Sequence, residues 1–310
     1  MRKIKIAIIS DIHGNIVALN EVIKDAEKNN VDDYVFLGDL VNDLPFGNET
    51  LKIVREKSNK VIKGNKEQYL IEYEKYKYDW KNLQFRNVKF MYNELLKENM
   101  DFIRVLPHYL EIEFEGVKIL FAHGSPKSVE ELLNKNKREL LEKYANEIDA
   151  NALIFGHTHE KMWYEYINGK LIMIAGCCGV SPNYIGKAEY VILEIEEKNI
   201  KNINLKLVDY DINLVKQKII NSGILDEDKV FMNLTYSGIS GKSDVRYNFL
   251  YEAKKLHIIH INTNKTKNTS AHYCEKVQKD VFFQKKSICV RNIARTNRWK
   301  NVSDRKTVAR

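Results

Sequence analysis

The chain has 310 residues, of which 44% are hydrophobic and 10% aromatic, a composition typical of globular proteins that excludes a disordered chain. Its four cysteines form neither a zinc pattern nor a disulfide framework, nothing resembles a signal peptide, and no apolar run is long enough to span a bilayer. The formal charge of +8 is uneven, because residues 257–310 hold 13 Lys and Arg against 3 Asp and Glu, whereas residues 1–256 hold 37 against 39. We therefore expect a nearly neutral, soluble, cytoplasmic body followed by a basic extension.

The first predicted strand is a continuous apolar run at residues 6–9, typical of a strand buried on both faces. Asp11 and His13 follow at its carboxyl end, and Asn15 precedes apolar residues at helical spacing. Asn15 is therefore a predicted N-cap, and the helix start beside it suits an anion such as phosphate. Taken alone, the Asp-x-His pair is a weak signal, which more often marks a capped turn than a pair of metal ligands.

The next elements repeat this pattern of a strand followed by polar residues. Residues 33–37 predict a second strand that leads to Asp39, and residues 60–63 predict a third that leads to Asn65. A helix continues over residues 51–57 between them. This alternation predicts an α/β fold with a parallel sheet and a site at its carboxyl edge.

Residues 66–105 lack glycine and proline, and their apolar spacing predicts helices that form a cap beside the sheet. The aromatic side chains of this segment either line a substrate groove or, as is commoner, pack the helices together. They are Tyr69, Tyr73, Tyr76, Tyr78, Trp80 and Phe85.

The second half of the chain predicts further strands and a few helices. A strand at 117–122 ends in His123, and a strand at 152–155 leads to His157 and His159. Asn168-Gly169 predicts a type I′ turn in a hairpin. The other elements are strands at 110–114, 163–167, 170–174, 190–196 and 203–208, and helices at 130–147, 212–222 and 245–256. We expect a main domain over 1–210, with C-terminal helices over 211–256 packed on it and the basic extension over 257–310.

Two other segments invite a functional interpretation. Residues 238–243 resemble a phosphate loop, but Tyr236 stands where that motif requires a glycine and no buried strand precedes it. In the basic extension, Phe282, Phe283 and Trp299 alternate with Lys and Arg, a pattern that suits single-stranded nucleic acid. A poorly ordered extension without a nucleic-acid partner is the favoured reading.

Five predicted strand ends carry a polar cluster, and four of the five histidines in residues 1–256 lie in these clusters. Scattered core histidines beside capped turns would not show this placement. Imidazole, carboxylate and amide donors without a thiolate suit Mn, Fe, Zn, Ni or Co better than Ca or Mg. Seven donors exceed what one ion needs and fit two ions that share one carboxylate. The candidate ligands are Asp11, His13, Asp39, Asn65, His123, His157 and His159.

These clusters occur in the order Asp-x-His-Gly-Asn, Gly-Asp-Leu-Val, Gly-Asn-x-Glu, His-Gly-Ser-Pro and Gly-His-Thr-His. Over residues 1–210 this order resembles the calcineurin-like metallophosphoesterases, especially their small bacterial phosphodiesterase branch. The resemblance implies an α/β fold of two packed β-sheets flanked by helices, with a dinuclear metal site. It further implies that Asp39 bridges the two ions. Asp11, His13 and His159 would hold one ion, and Asn65, His123 and His157 would hold the other.

The resemblance also implies hydrolysis of phosphoesters, with phosphodiesters or nucleotide-like compounds as substrates and Mn²⁺ as the first choice among the divalent metals. A hydroxide shared by the two ions would attack the phosphorus atom in line. The alternatives are a phosphoprotein phosphatase and a non-catalytic scaffold of the same fold. Asp39, Asn65 and Lys66 are the candidate catalytic residues, and Asn15, Asn65 and Lys66 are the candidate phosphate-binding residues.

The chain departs from the family pattern at two places. Lys66 stands where many members have a histidine that stabilises the phosphoryl group or protonates the leaving oxygen. A lysine, with a reference pKa near 10.4, supplies charge but is a poorer acid at neutral pH. Residues 175–178, Ala-Gly-Cys-Cys, replace a common Asn-Pro-Gly-Ser stretch, which predicts a different site rim.

Overall fold

The structure, a computed structural model, describes residues 3–76, 83–225 and 235, which all belong to one unit spanning Met1–Ile259. The predicted helix at 245–256, the loop at 238–243 and the basic extension lie outside the described residues. So do Tyr78 and Trp80 of the predicted cap, and the side chains of Tyr76 and Phe85 are not described either. Within the described part, no helix is long and apolar enough to cross a membrane.

Two mixed β-sheets pack face to face and are flanked by helices, which confirms the predicted α/β fold of two packed sheets. The strands are β1 (Ile4–Ile9), β2 (Asp33–Phe36), β3 (Tyr109–Phe114), β4 (Val117–Ala122), β5 (Ala152–Phe155), β6 (Trp163–Ile167), β7 (Lys170–Ile174), β8 (Lys187–Glu196) and β9 (Asn199–Asp209). The helices are α1 (Ile16–Lys28), α2 (Gly47–Lys57), α3 (Asn65–Tyr76), α4 (Leu83–Glu94), α5 (Lys97–Val105), α6 (Arg138–Glu147) and α7 (Ile212–Asn221).

The hydrophobic core consists of three clusters, one between the two sheets and one on the outer face of each sheet. Apolar side chains of both sheets, such as Ile8, Phe121 and Leu193, fill the space between the sheets. A second cluster joins the outer face of the first sheet to the N-terminal helices and the cap, and a third joins the second sheet to α6. Both faces of the central strands are therefore buried, as their continuous apolar sequences predict.

The first sheet has the order β2-β1-β8-β9, and the second has the order β3-β4-β5-β7-β6. Strand β1 is parallel to β2, and β4 is parallel to β5, as the alternation of strands and helices predicts. Strand β8, however, pairs antiparallel with β1, so the sheet is mixed and only its β1–β2 pair is parallel. An apolar run buried on both faces does not encode the direction of its partner, and β8 returns to the first sheet only after the chain has built the second.

The predicted third strand at residues 60–63 is reduced to a single parallel bridge between Phe36 and Val61. The backbone of Phe36 bonds to Lys60 and Ile62, and the next amide, that of Lys63, donates instead to the carbonyl of Pro107 at 3.0 Å. The segment leaves the sheet there, so a longer ladder cannot form.

The predicted helix at 130–147 begins only at Arg138. Before Arg138, side chains accept hydrogen bonds from backbone amides: Asn134 Oδ1 accepts from the amide of Asn136 at 3.0 Å, and Ser128 Oγ accepts from the amide of Glu130 at 3.1 Å. Such local bonds favour turns over helix.

The hairpin of β6 and β7 turns at Asn168-Gly169, where both residues have positive φ, as a type I′ turn requires. Helices α3, α4 and α5 confirm the helical character predicted for the cap. The ring centroids of Tyr73 and Tyr92 lie 4.5 Å apart and both rings pack against the core, so Tyr73 joins α3 to α4.

Candidate metal centre

The seven candidate ligands lie in five loops at one end of the two-sheet sandwich. Asp11 and His13 follow β1, Asp39 follows β2, and Asn65 is the first residue of α3. In the second sheet His123 follows β4, and His157 and His159 follow β5. Parallel neighbours deliver their carboxyl ends to the same edge, so each sheet contributes its ligands at one place.

The backbone at these ligands is held in an uncommon conformation. Asp11, His13, Asp39, His157 and His159 all have φ between 48° and 67°, in the left-handed region. Residues other than glycine rarely adopt this region, and strain of this kind concentrates at functional sites. Glycine at position 156 allows the loop after β5 to approach the loop after β1 closely, because a Cβ on Gly156 would lie 1.9 Å from Ser10 Oγ.

One group of donor atoms comes from Asp11, His13, Asp39 and His159, and these atoms all lie within 4.8 Å of one another. The Nε2 atoms of His13 and His159 are 2.9 Å apart, and His159 Nε2 is 3.2 Å from Asp11 Oδ1. His13, Asp11 and Asp39 are almost fully buried, whereas the His159 side chain is 24% exposed. The site is therefore open to solvent on the His159 side.

A second group comes from Asp39, His123 and His157, whose donor atoms also lie within 4.8 Å of one another. His123 Nε2 lies 3.4 Å from Asp39 Oδ1 and 3.1 Å from Asn65 Oδ1. Nδ1 of His123 lies 2.8 Å from the carbonyl oxygen of Leu37, so this nitrogen is placed to carry the proton and donate to Leu37. The ring is then oriented with Nε2 toward the other donor atoms. Asp39 thus belongs to both groups.

These residues fit a divalent cation by their chemistry as well as by their positions. His157 Nε2 is buried and has no hydrogen-bond partner among the described residues. A buried polar atom without a partner costs free energy of folding unless another group, such as a cation, binds it. Imidazole nitrogens and carboxylate oxygens that converge in this way are ligands of transition metals. The structure therefore contains an Asp and His cluster able to bind divalent metal.

The electrostatics of the cluster favour added positive charge. Burial lowers the pKa values of His13 and His123, but nearby carboxylates outweigh burial and raise them to about 10 and about 9. Burial raises the pKa of Asp39, but the charges of His123 and His13 outweigh it and lower the pKa to about 2. Burial lowers the pKa of His157 to about 3, so this ring is neutral near pH 7. Buried carboxylates thus attract cations while a neutral imidazole offers its lone pair.

The two remaining predicted site residues, Lys66 and Asn15, lie around this cluster. Lys66 Nζ is 2.8 Å from Oδ1 of Asp43, and Oδ2 of Asp43 is 2.8 Å from Nδ1 of His13. The backbone amide of Lys66 donates to Asp39 Oδ1 at 2.8 Å. Lys66 is therefore connected to the ligands of both groups.

Asn15 caps α1, as predicted, because its Oδ1 accepts from the amide of Ala18 at 3.1 Å. Its Nδ2 donates to the carbonyl of Gly179 at 2.7 Å, and the side chain is buried. A role for Asn15 in orienting phosphate stays a prediction.

The family model of the calcineurin-like phosphoesterases matches residues 4–161, just over half of the 310-residue chain. The chain belongs to the calcineurin-like phosphoesterase family. The matched segment contains all seven candidate ligands, from Asp11 to His159.

A relative of uncharacterised function in Methanocaldococcus jannaschii is 28% identical over 240 residues, which cover 72% of this chain and 94% of that protein. A metallophosphoesterase from Sphaerobacter thermophilus has a similar crystal structure, with a TM-score of 0.61 and 24% identity over 76% of this chain and 99% of that one. A hypothetical protein of Pyrococcus horikoshii gives a TM-score of 0.64 with 18% identity over 76% and 99% of the two chains. These structural likenesses show the same fold.

Sequence reasoning missed three residues that support the centre of this calcineurin-like phosphoesterase. Asp43 contacts His13 and Lys66, and the buried Glu67 accepts four backbone amides, including those of Asp39 and Gly64. The Tyr69 hydroxyl, one helical turn after Asn65, donates to Glu130 Oε1 at 2.7 Å. Glu67 is part of the Gly-Asn-x-Glu motif, so a signal for it was present in the sequence. Asp43 and Tyr69 had none, because their contacts depend on loop conformation and helix placement.

The replaced stretch at residues 175–178 lies behind the Asp11 loop and not at its rim. Cys177 and Cys178 are fully buried, and the Cys177 thiol donates to the carbonyl of Asp11 at 3.4 Å. The amide of Gly179 also donates to that carbonyl, at 2.9 Å. Cys177 and Gly179 therefore support the Asp11 backbone from inside the protein.

Proposed function

We propose that this protein is a phosphoester hydrolase that requires two divalent metal ions and acts on phosphodiesters or nucleotide-like compounds. The observation that carries the proposal is the pair of donor groups that share Asp39. Two groups joined by one carboxylate are the arrangement expected for two adjacent ions.

In this proposal Asp11, His13 and His159 would hold one ion, Asn65, His123 and His157 would hold the other, and Asp39 would serve both. Two such ions, when bound, supply Lewis-acid polarisation of the phosphoryl group and a nucleophilic water of lowered pKa near neutral pH. Mn²⁺ is the proposed metal, and Fe, Ni, Zn or Co suit the same donors.

The chain's own residues have three tasks in this reaction. Asp39 fixes the distance between the two donor groups, and Asn65 contributes a neutral oxygen, which leaves more net positive charge to attract a phosphate. Lys66 adds a further positive charge beside the centre, where it favours an anionic substrate and charge that develops on the phosphoryl oxygens. The partly exposed His159 marks the side from which a small ester reaches the centre.

The test uses the full-length protein, stripped of metal with EDTA and then supplied with Mn²⁺, Ni²⁺, Zn²⁺ or Mg²⁺. We expect hydrolysis of bis-p-nitrophenyl phosphate that depends on the added metal. His123→Ala should abolish it, and His108→Ala should not, since His108 is the one histidine among the described residues that stands outside the cluster. Equal loss in both variants would contradict the assignment.

The same protein distinguishes the two alternative functions. A panel of phosphopeptides and nucleotides measures substrate class, and a clear preference for phosphopeptides would indicate a phosphoprotein phosphatase. Two bound ions without hydrolysis of any compound in the panel would indicate a non-catalytic scaffold. We expect activity on diesters and nucleotides, because all seven candidate ligands are present in the chain.

A further inference from the structure

Glu189 is a fully buried carboxylate on β8 that the proposed reaction does not use. Its Oε1 accepts a hydrogen bond from the amide of Met162 at 3.1 Å, and its Oε2 accepts one from the hydroxyl of Ser181 at 2.7 Å. Met162 lies in the β5–β6 loop, which carries His157 and His159, and Ser181 lies in the β7–β8 loop. A buried carboxylate is costly without such partners. The Glu189 side chain therefore ties these two loops together.

The connection continues from Ser181 to the backbone of His159. A serine hydroxyl has one proton, and here Glu189 receives it, so the Ser181 oxygen offers its lone pairs to other donors. The backbone amide of Asn183 donates to this oxygen at 3.3 Å. The Asn183 side chain in turn donates from Nδ2 to the carbonyl oxygen of His159 at 2.7 Å. Glu189, Ser181 and Asn183 thus form a continuous network that ends at a candidate metal ligand.

His159 needs such a restraint more than the other ligands of its group. Its φ is 52°, in the left-handed region that residues other than glycine adopt at a cost. Its side chain is also 24% exposed, whereas the side chains of Asp11, His13 and Asp39 are at most 2% exposed. Packing therefore holds His159 on fewer sides than it holds the other three ligands.

The backbone conformation of His159 decides where its imidazole lies. Its Nε2 is 3.2 Å from Asp11 Oδ1 and 2.9 Å from His13 Nε2. A return of φ to the common negative range would swing the Cβ atom and carry the ring away from both atoms. The hydrogen bond from Asn183 opposes this change, because the carbonyl oxygen of His159 would have to move with the backbone.

We propose that Asn183, held by Glu189 through Ser181, is a positioning residue that keeps the His159 imidazole in place as a metal ligand. The inference rests on the proposed dinuclear site and names what prepares its most exposed ligand. Outer partners of metal ligands typically contribute about 10-fold to 100-fold to metal affinity.

The first experiment compares Mn²⁺ binding by calorimetric titration in the metal-stripped wild-type protein and in Asn183→Leu, because leucine has the shape of asparagine without its hydrogen-bonding groups. Asn29→Leu is the matched control. The Asn29 Nδ2 also donates to a backbone carbonyl at 2.7 Å, that of Asp25, at the far end of α1 from the candidate ligands. We expect one binding event to weaken about 10-fold in Asn183→Leu and to match the wild type in Asn29→Leu. The event that weakens should be the one that His159→Ala also weakens.

The second experiment separates positioning of His159 from general support of the fold by repeating the comparison in a His159→Ala background. Without the imidazole there is nothing left to position, so Asn183→Leu should leave the Mn²⁺ affinity that remains unchanged. Equal weakening in both backgrounds, or no weakening in the otherwise wild-type protein, would overturn the proposal.

A third variant, Ser181→Ala, tests the connection to Glu189 while Asn183 is intact. It should weaken the same binding event as Asn183→Leu, and wild-type affinity would show that Glu189 has no part in the network. Binding is measured without substrate. A wild-type protein that binds two ions but hydrolyses nothing would therefore contradict the proposed function and leave these results readable.

Discussion

Lys66 and Asp43 form an ion pair beside the candidate metal centre, with Nζ of Lys66 2.8 Å from Oδ1 of Asp43. Burial lowers the pKa of Lys66, but the charges of Asp43 and Asp39 outweigh burial and raise the pKa above its ordinary value. The ammonium group is therefore charged throughout the neutral range and is a poor proton donor. This relationship favours Lys66 as a source of charge over Lys66 as an acid.

Substituting Lys66 tests this assignment through the choice of leaving group. Lys66→Gln should lower kcat/KM by a similar factor, on the order of 10²-fold, for activated nitrophenyl esters and for alkyl esters. Lys60→Gln is the control, since Lys60 pairs with Asp33 away from the candidate ligands. A loss confined to alkyl esters would show that Lys66 acts as the acid.

The substitution Lys66→His restores the residue that many family members have at this position. We expect it to raise the rate for esters with poor leaving groups and to change the rate for nitrophenyl esters little, because only the former need a proton. Equal effects on both classes would mean that position 66 acts through charge alone, whichever residue occupies it.

Asp43 should affect metal binding although it is not a candidate ligand. Its Oδ2 pairs with Nδ1 of His13 at 2.8 Å, so loss of this charge in Asp43→Asn should weaken one Mn²⁺ binding event by about 10-fold to 100-fold. Asp25→Asn is the matched control, because Asp25 also pairs with a lysine, Lys206, at 3.3 Å. Equal affinities in wild type and Asp43→Asn would show that the contact has no role in the centre.

Metal-free protein should lose stability as the pH rises above neutrality. His13 and His123 have folded-state pKa values of about 10 and about 9, above the ordinary value near 6.5. A raised pKa stabilises the fold fully below about pH 6.5, and the stabilisation is lost as the pH rises through about 9 to 10. Thermal unfolding in EDTA should therefore show Tm falling from pH 7 to pH 10, whereas saturating Mn²⁺ should flatten this dependence because metal replaces the protons. A flat profile without metal would contradict this account of the cluster.

The shared position of Asp39 predicts an unequal effect of ligand substitutions. Asp39→Asn should weaken both ions and so lower kcat/KM more than His159→Ala, which weakens one. Steady-state kinetics on bis-p-nitrophenyl phosphate at saturating Mn²⁺ makes the comparison. Equal losses in the two variants would show that Asp39 serves a single ion.

Much of the centre follows from the sequence, because its ligands come directly after buried strands. Apolar runs predict the strands, and parallel strands bring the residues after them to one edge, so Asp11 and Asp39 of the first sheet converge without knowledge of the full topology. The two packed sheets come from the family resemblance, since an apolar run does not specify which strand pairs with it or in which direction.

The supporting residues were beyond sequence reasoning for a different physical reason. Asp43 reaches His13 from a loop in which Asn42 and Asp43 both have positive φ, a conformation that these residue types permit but do not require. Tyr69 was grouped with the other aromatic residues of the cap, and only the position of Glu130 distinguishes its hydroxyl from those that merely pack. Such contacts depend on tertiary structure and leave no periodic pattern in the chain.

The central claim is that two ions sharing Asp39 are needed for hydrolysis of phosphoesters. Its most direct test adds Mn²⁺ in known equivalents to concentrated metal-free protein and records the hydrolysis rate of bis-p-nitrophenyl phosphate at each step. If the two ions bind in sequence, we predict little activity up to one equivalent. If they bind with similar affinity, we predict a sigmoidal rise. In both cases full activity should be reached at two equivalents. Full activity at one equivalent, or none at two, would contradict the account.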